Sequence, residues 1–165
     1  MVIEMKLKPI GVIRTPYLET APYQPVHDDF GEFRVILLKE YSKGLKDLDR
    51  FRYIYVIYYL HRLQRSISLI EKPSWAQGVE VGLFASRSPV RPNPIGISIV
   101  RIKKIKENVI FTSGLDVIDN TPLLDIKPYI KDLDSKDDAN SGWIDSLKNS
   151  KKHLLLHIRG IPHDF

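Results

Sequence analysis

The chain has 165 residues, 43% hydrophobic and 27% charged, with no cysteine and a net charge of +5. A chain of this composition is neither disordered nor collagenous, and at this length it buries roughly 70% of its unfolded surface, enough for a core without staples. Without cysteine there are no disulfides, thiol nucleophiles or zinc-thiolate sites. No apolar run approaches the ~20 residues of a membrane-spanning helix, and the opening MVIEMKLKPIG lacks a signal peptide's apolar core, so a cytoplasmic protein away from membranes is expected.

Short segments rich in Val, Ile, Tyr and Phe predict strands over residues 9–14, 33–38, 52–60, 79–85, 97–105, 109–115 and 153–158. Short helices are predicted over 41–49 and 145–151. The class is therefore mainly β. A Rossmann-type doubly wound sheet is not expected, because it needs several helices of ten or more residues between its strands. No repeat, low-complexity tract or Gly/Ser linker divides the chain, so one domain over 1–165 is expected.

The segment FRYIYVIYYL, residues 51–60, is apolar at nearly every position. Such a strand is either central in a barrel or has one face packed on a second copy of the chain. After Lys131, KDLDSKDDANSGW reads as a surface loop anchored by Trp143.

The positive charge is unevenly placed. Residues 131–165 carry six basic and six acidic side chains, so the surplus lies in the first 130, and residues 84–106 hold six Lys or Arg with no carboxylate. That segment is either an electrostatic footprint for a polyanion such as nucleic acid or a sheet edge protected by cations.

Within it, FASRSPVRPNPIGISI carries prolines at 89, 92 and 94, which hold Ser88, Arg91 and Asn93 extended. A loop so braced presents Arg87 and Arg91 from a preorganised backbone, and guanidinium groups suit phosphate or carboxylate. Gly96 lets the chain turn or lets a ligand approach its amides. A second segment, LDVIDNTPLLDIKPY, brings Asp116, Asp119 and Asp125 close in sequence. Turn chemistry explains Asp119-Asn120-Thr121-Pro122, but Asp116, Asp125 and Lys127 stand beside apolar residues in a strand-like context and need partners if buried. No Walker loop, GxGxxG, GxSxG or HExxH motif occurs, and the histidines His27, His61, His153, His157 and His163 lack metal-ligand spacing. No metal is expected.

With FASRSPVRPNPIGIS followed by LDVIDNTPLLDIKPY, and with IGVIRTPY, the APYQP loop and the strand leading to His61, the chain resembles the TrmO (YaeB/VirR-like) family of S-adenosylmethionine-dependent tRNA methyltransferases over about residues 8–130. The resemblance implies a small β-barrel-like domain with short helices, acting as a homodimer on tRNA. It implies methylation of the exocyclic nitrogen of threonylcarbamoyl-adenosine, 3′ to the anticodon. It also implies a cofactor site drawn from Pro22, Tyr23 and Gln24, His61 and Arg62, Arg87, the backbone around Ile97, and Asp116, Val117, Ile118 and Asp119. Tyr23 stands where many members have Arg, Arg62 where bacterial members often have Gln, and Asn120 where Gly is common. The long C-terminal extension of the bacterial proteins is not expected here.

For that chemistry, Asp119 or Asp125 is the expected proton acceptor, supported by Lys127. Arg91, Asn93, Lys127 and Tyr129 are the expected substrate contacts, with Tyr129 either stacking on a splayed base or serving as a core aromatic. Two other readings fit the same residues: a non-catalytic RNA-binding or regulatory module of this fold, and a methyltransferase acting on another substrate.

Overall fold

A computed structural model describes residues 5–22, 31–63, 66–73, 76 and 78–147. Along Phe33–Leu37 (β2), Phe33, Val35 and Leu37 are buried, and Arg34 and Ile36 between them are not, the period-two pattern of a strand with one face on a core. The same alternation runs through Gly11–Arg14 (β1), Tyr53–Tyr59 (β3), Ile95–Lys106 (β6), Val109–Thr112 (β7) and Thr121–Pro128 (β8). These six close into an antiparallel barrel in the order β1-β2-β7-β6-β3-β8, with β8 returning to β1. Closure leaves no barrel strand with two unpaired sides, and Ile13, Val35, Ile54, Val56, Val100, Ile110 and Leu123 fill the interior. Ile70–Glu71 (β4) and Val81–Gly82 (β5) form a separate two-stranded ribbon.

Two bulges change which side chains face out. In the β3–β8 pairing Ile57 faces Asp125 while Tyr58 faces Leu123, so Leu124 is the extra residue. In the β6–β7 pairing Ile102 faces Thr112 while Lys104 faces Phe111, so Lys103 is extra. Each bulge shifts the phase by one. Leu123 and Ile126 both turn to the core, putting Asp125 and Lys127 outside; Ile102 and Ile105 do likewise, putting Lys104 and Lys106 outside.

Several expectations are corrected. The strand-like stretch around Asp125 and Lys127 is a barrel strand that starts at Thr121, inside the expected turn, with Pro122 at the second position of β8 opposite Val12. Only Val81–Gly82 of the expected strand 79–85 is extended, and Leu83–Ala85 coils into a 3-10 turn. β6 begins at Ile95, directly after the last proline. The expected helix 41–49 is two 3-10 segments, Lys39–Leu45 and Leu48–Arg50, separated where Asp47 takes a left-handed φ of 64°. The loop after Lys131 contains a four-residue helix, Lys131–Asp134 (α1), and is anchored by Trp143, whose indole N–H donates to the Ala85 carbonyl at 2.8 Å. Gly142–Ser146 is a 3-10 turn, while the remainder of the expected helix 145–151 beyond residue 147 and the whole of strand 153–158 lie outside the described residues.

Candidate active site

The strand β1 ends at Arg14, and at the next residue, Thr15, the chain meets the turn that starts β8. Thr15 Oγ1 donates to the Val117 carbonyl at 2.8 Å, the Thr15 N–H donates to Asp119 Oδ1 at 3.0 Å, and the Asp119 N–H donates to the Tyr17 carbonyl at 2.6 Å. Arg14 Nε lies 3.0 Å from the same Asp119 oxygen; its N–H is off the contact line, so this is a pairing of charges and not a hydrogen bond. Arg14 Nη1 donates to Asn120 Oδ1 at 2.8 Å, and Asn120 takes the left-handed φ of 63° that Asn tolerates well. The buried Asp119 carboxylate is thus committed to clamping two loops together.

Three further segments join this clamp. Arg62 Nη1 donates to the Leu18 carbonyl at 3.0 Å, tying the end of β3 to the loop that leads to Pro22. The Leu60 N–H donates to the Pro94 carbonyl at 2.8 Å, which seats His61 and Arg62 beside the proline-braced loop. Ser98 Oγ on β6 donates to Asp116 Oδ1 at 2.8 Å. The structure therefore brings together loop 15–22, His61 and Arg62, the start of β6 with Ile97, and Asp116, Val117, Ile118 and Asp119. Partial burial and the adjacent Arg62 charge hold the His61 imidazole below its ordinary 6.5, so it is neutral at pH 7. Tyr23 and Gln24 lie outside the described residues.

Over residues 95–101 β6 pairs with β3, while β7 joins it only from Ile102 onward. The Ile97 side chain itself points away, 60% exposed on the outer face opposite Ile57. Gly96 serves a different purpose from the expected approach of a ligand: the Tyr58 ring occupies the space that a side chain at 96 would need.

The remaining candidates divide. Arg87 is an exposed residue of the proline loop, whereas Arg91 turns back on that loop, with Nη1 donating to the Ser86 carbonyl at 3.0 Å and the guanidinium 5.5 Å from the Phe84 ring centre. Asn93 is exposed in the same loop. Asp125 and Lys127 form an ion pair of 2.8 Å on the outer face of β8, opposite Ile57 and Tyr55. Tyr129 packs against Tyr53 and Tyr55, with ring centres 6.5 and 5.6 Å away, in an aromatic cluster of that outer face. Sequence reasoning missed Arg14, Thr15, Tyr58 and Ser98. Ser98 carried a signal, being the one hydroxyl in the run IGISIV at a position in phase with Val100.

Among the described residues no group of three His, Asp or Glu side chains is placed to hold a metal, and no helix is long and apolar enough to cross a membrane. A family model, the N-terminal domain of tRNA-methyltransferase O, matches residues 12–135. The chain belongs to that family. It is 39% identical over 140 residues to a probable S-adenosyl-L-methionine-binding protein of Pyrococcus abyssi, covering 84% of this chain and 75% of that protein. To the Escherichia coli tRNA (adenine(37)-N6)-methyltransferase it is 35% identical over 147 residues, 83% of this chain and 63% of the relative. The crystal structure of TrmO from Pseudomonas aeruginosa matches with a TM-score of 0.70 at 29% identity, over 85% of this chain and 62% of that one. The chain thus spans less than two thirds of the length of the latter two family members. The TrmO likeness also agrees with the absence of a Rossmann sheet from the described fold.

Proposed function

We propose that this chain is an S-adenosylmethionine-dependent tRNA methyltransferase domain that methylates the exocyclic nitrogen of threonylcarbamoyl-adenosine 3′ to the anticodon, working in the cytoplasm as a homodimer. The observation that carries the reading is the convergence of loop 15–22, His61 and Arg62, the start of β6, and residues 116–119 at one end of the barrel.

S-adenosylmethionine, when bound, supplies a methyl group on a sulfonium centre. The residues present suit it. Asp116 offers a carboxylate to a cation or to ribose hydroxyls, the edge of β6 near Ile97 that β7 leaves unpaired offers backbone groups, and neutral His61 adds no opposing charge. Transfer then depends on holding the acceptor nitrogen in line at near-attack distance. That nitrogen loses its proton as its bond to carbon forms, and a carboxylate is the group to take it. Asp125 suits this role better than Asp119, because its side chain is 42% exposed, with one oxygen accepting from the Ile126 N–H and the other paired with Lys127, while Asp119 is buried and engaged by Arg14 and the Thr15 amide.

The six cations of residues 84–106 fall into two groups at opposite ends of β6, Arg87 and Arg91 before it and Arg101, Lys103, Lys104 and Lys106 in its second half. The first group stands at the site, and the second offers phosphate contacts along the RNA. The homodimer forms through the outer face of β3 and β6, where Tyr53, Tyr59, Ile95, Ile97 and Ile99 are 39–60% exposed side by side. A two-fold axis makes one such patch cover another.

Calorimetric titration with S-adenosylmethionine, with Arg87→Ala alongside, tests the cofactor, and mass spectrometry of nucleosides from tRNA incubated with both tests the product. Binding weakened about tenfold in the variant, as expected for a lost charge-assisted contact, and one added methyl on threonylcarbamoyl-adenosine are expected. No binding at millimolar ligand, with or without tRNA, overturns the reading in favour of an RNA-binding module.

A further inference from the structure

Two hydroxyls inside the barrel wall form a chain that leads to Asp116. Tyr58 on β3 and Ser98 on β6 are each 4% exposed, and their oxygens lie 2.9 Å apart. Ser98 Oγ lies 2.8 Å from Asp116 Oδ1 and donates to it. A serine has one proton to give, so the proton between Tyr58 and Ser98 comes from the phenol. The direction is thereby set: Tyr58 donates to Ser98, and Ser98 donates to the carboxylate.

Burial, and then the charge of Asp116, raise the Tyr58 phenol well above its ordinary value of 10, so it remains a donor at any working pH. An apolar side chain at 98 would pack in the barrel without the cost of burying a hydroxyl. Tyr58 in turn needs Gly96 opposite it, since a Cβ there would lie 2.0 Å from the ring. Three positions on two strands are thus spent on orienting one carboxylate at the barrel end.

We propose that Tyr58 and Ser98 are positioning residues that fix the Asp116 carboxylate in the rotamer that receives the cofactor, a role that rests on the placement of Asp116 in the cofactor site above. Tyr58 acts on Asp116 both through Ser98 and directly, since the phenol also lies within hydrogen-bonding reach of the carboxylate. Neither residue touches the cofactor.

The test is a double-mutant cycle read by calorimetry with S-adenosylmethionine, with melting temperature recorded for each variant. Ser98→Ala removes a hydrogen bond to a charged group and is expected to weaken cofactor affinity about tenfold, and Tyr58→Phe about threefold. The double variant binds more weakly than Ser98→Ala but by less than the sum of the two single losses, because the two hydroxyls bond to each other and to the same carboxylate. Ser98→Thr, which keeps the hydroxyl, restores affinity. Turnover on tRNA at saturating cofactor stays within about twofold, since the orientation favours bound and reacting states alike. Tyr58→Phe keeps the ring packing, so it reports even if Ser98→Ala folds poorly. Wild-type affinity in Tyr58→Phe and Ser98→Ala alongside weakened binding in Asp116→Asn overturns the relay alone, as do additive losses in the double variant. Wild-type affinity in Asp116→Asn overturns the cofactor-site placement and the relay with it.

Discussion

Gly96 stands directly opposite Tyr58 in the β3–β6 ladder, and the phenol lies over the space that a side chain at 96 would fill. A Cβ there would come within 2.0, 2.6 and 2.8 Å of three ring carbons. Tyr58 is buried and has little room to retreat. Gly96→Ala is therefore an overpacking change, expected to cost roughly 1–3 kcal/mol in denaturant unfolding. An unchanged unfolding midpoint would show that the ring has another place to go.

Asp119 holds the Thr15 amide and the Arg14 guanidinium from a buried position. Asp119→Ala strands the buried Thr15 N–H and removes the tie between the end of β1 and the start of β8, so about 1–3 kcal/mol of stability should be lost. Cofactor affinity should fall with it, because residues 116–118 depend on that tie. Asp125→Asn, on the outer face, should leave the melting temperature and cofactor affinity near wild type while turnover on tRNA drops. Full turnover in Asp125→Asn would remove Asp125 as the proton acceptor.

His61 has its pKa depressed in the folded chain by partial burial and then by Arg62. Above pH 6.5 it is neutral whether folded or unfolded and contributes nothing pH-dependent. As pH falls below 6.5, the unfolded chain takes up a proton before the folded one does, so stability declines toward the folded pKa. The residue is largely exposed, which keeps that decline small. Cofactor binding is more sensitive, because a protonated imidazole opposes a sulfonium. Affinity measured by calorimetry from pH 8 to 5 should be flat above 6.5 and fall below it, and His61→Gln should flatten the profile. A profile that falls equally in both proteins assigns the effect to another group.

Ile97 is the most exposed of the apolar side chains on the outer face shared by β3 and β6, 60% accessible in the single chain. A glutamate there is buried against its own copy in a two-fold dimer and repelled by it. Ile97→Glu should shift sedimentation from dimer to monomer at micromolar concentration with little change in unfolding of the monomer. A variant that remains dimeric places the interface elsewhere.

Much of the barrel was legible because the signals were local. Alternation of Phe33, Val35 and Leu37 marks β2 without help from any other segment, and the three prolines at 89, 92 and 94 mark a braced loop by their own rings. The start of β8 was obscured for an equally local reason: Asp119, Asn120 and Pro122 carry turn chemistry, and Pro122 still fits near the start of a strand. The short helices failed because residues 39–50 have too few turns to settle into α-helix and adopted 3-10 geometry around Asp47.

The amino-acid sequence by itself determined a mainly β chain, the two motifs with their carboxylates and arginines, and the family, since period, ring constraint and motif spacing are properties of neighbouring residues. Only the tertiary structure decided which way those side chains face. By simple alternation from Leu123, Asp125 would point into the core; the bulge at Leu124 turns it and Lys127 outward, and the bulge at Lys103 does the same for Lys104. Only the pairing of β1 with β8 and of β3 with β6 brought Arg14 to Asp119 and Tyr58 to Ser98, because hydrogen bonds between residues 40 and 104 apart in the chain depend on strand register, which no local pattern specifies.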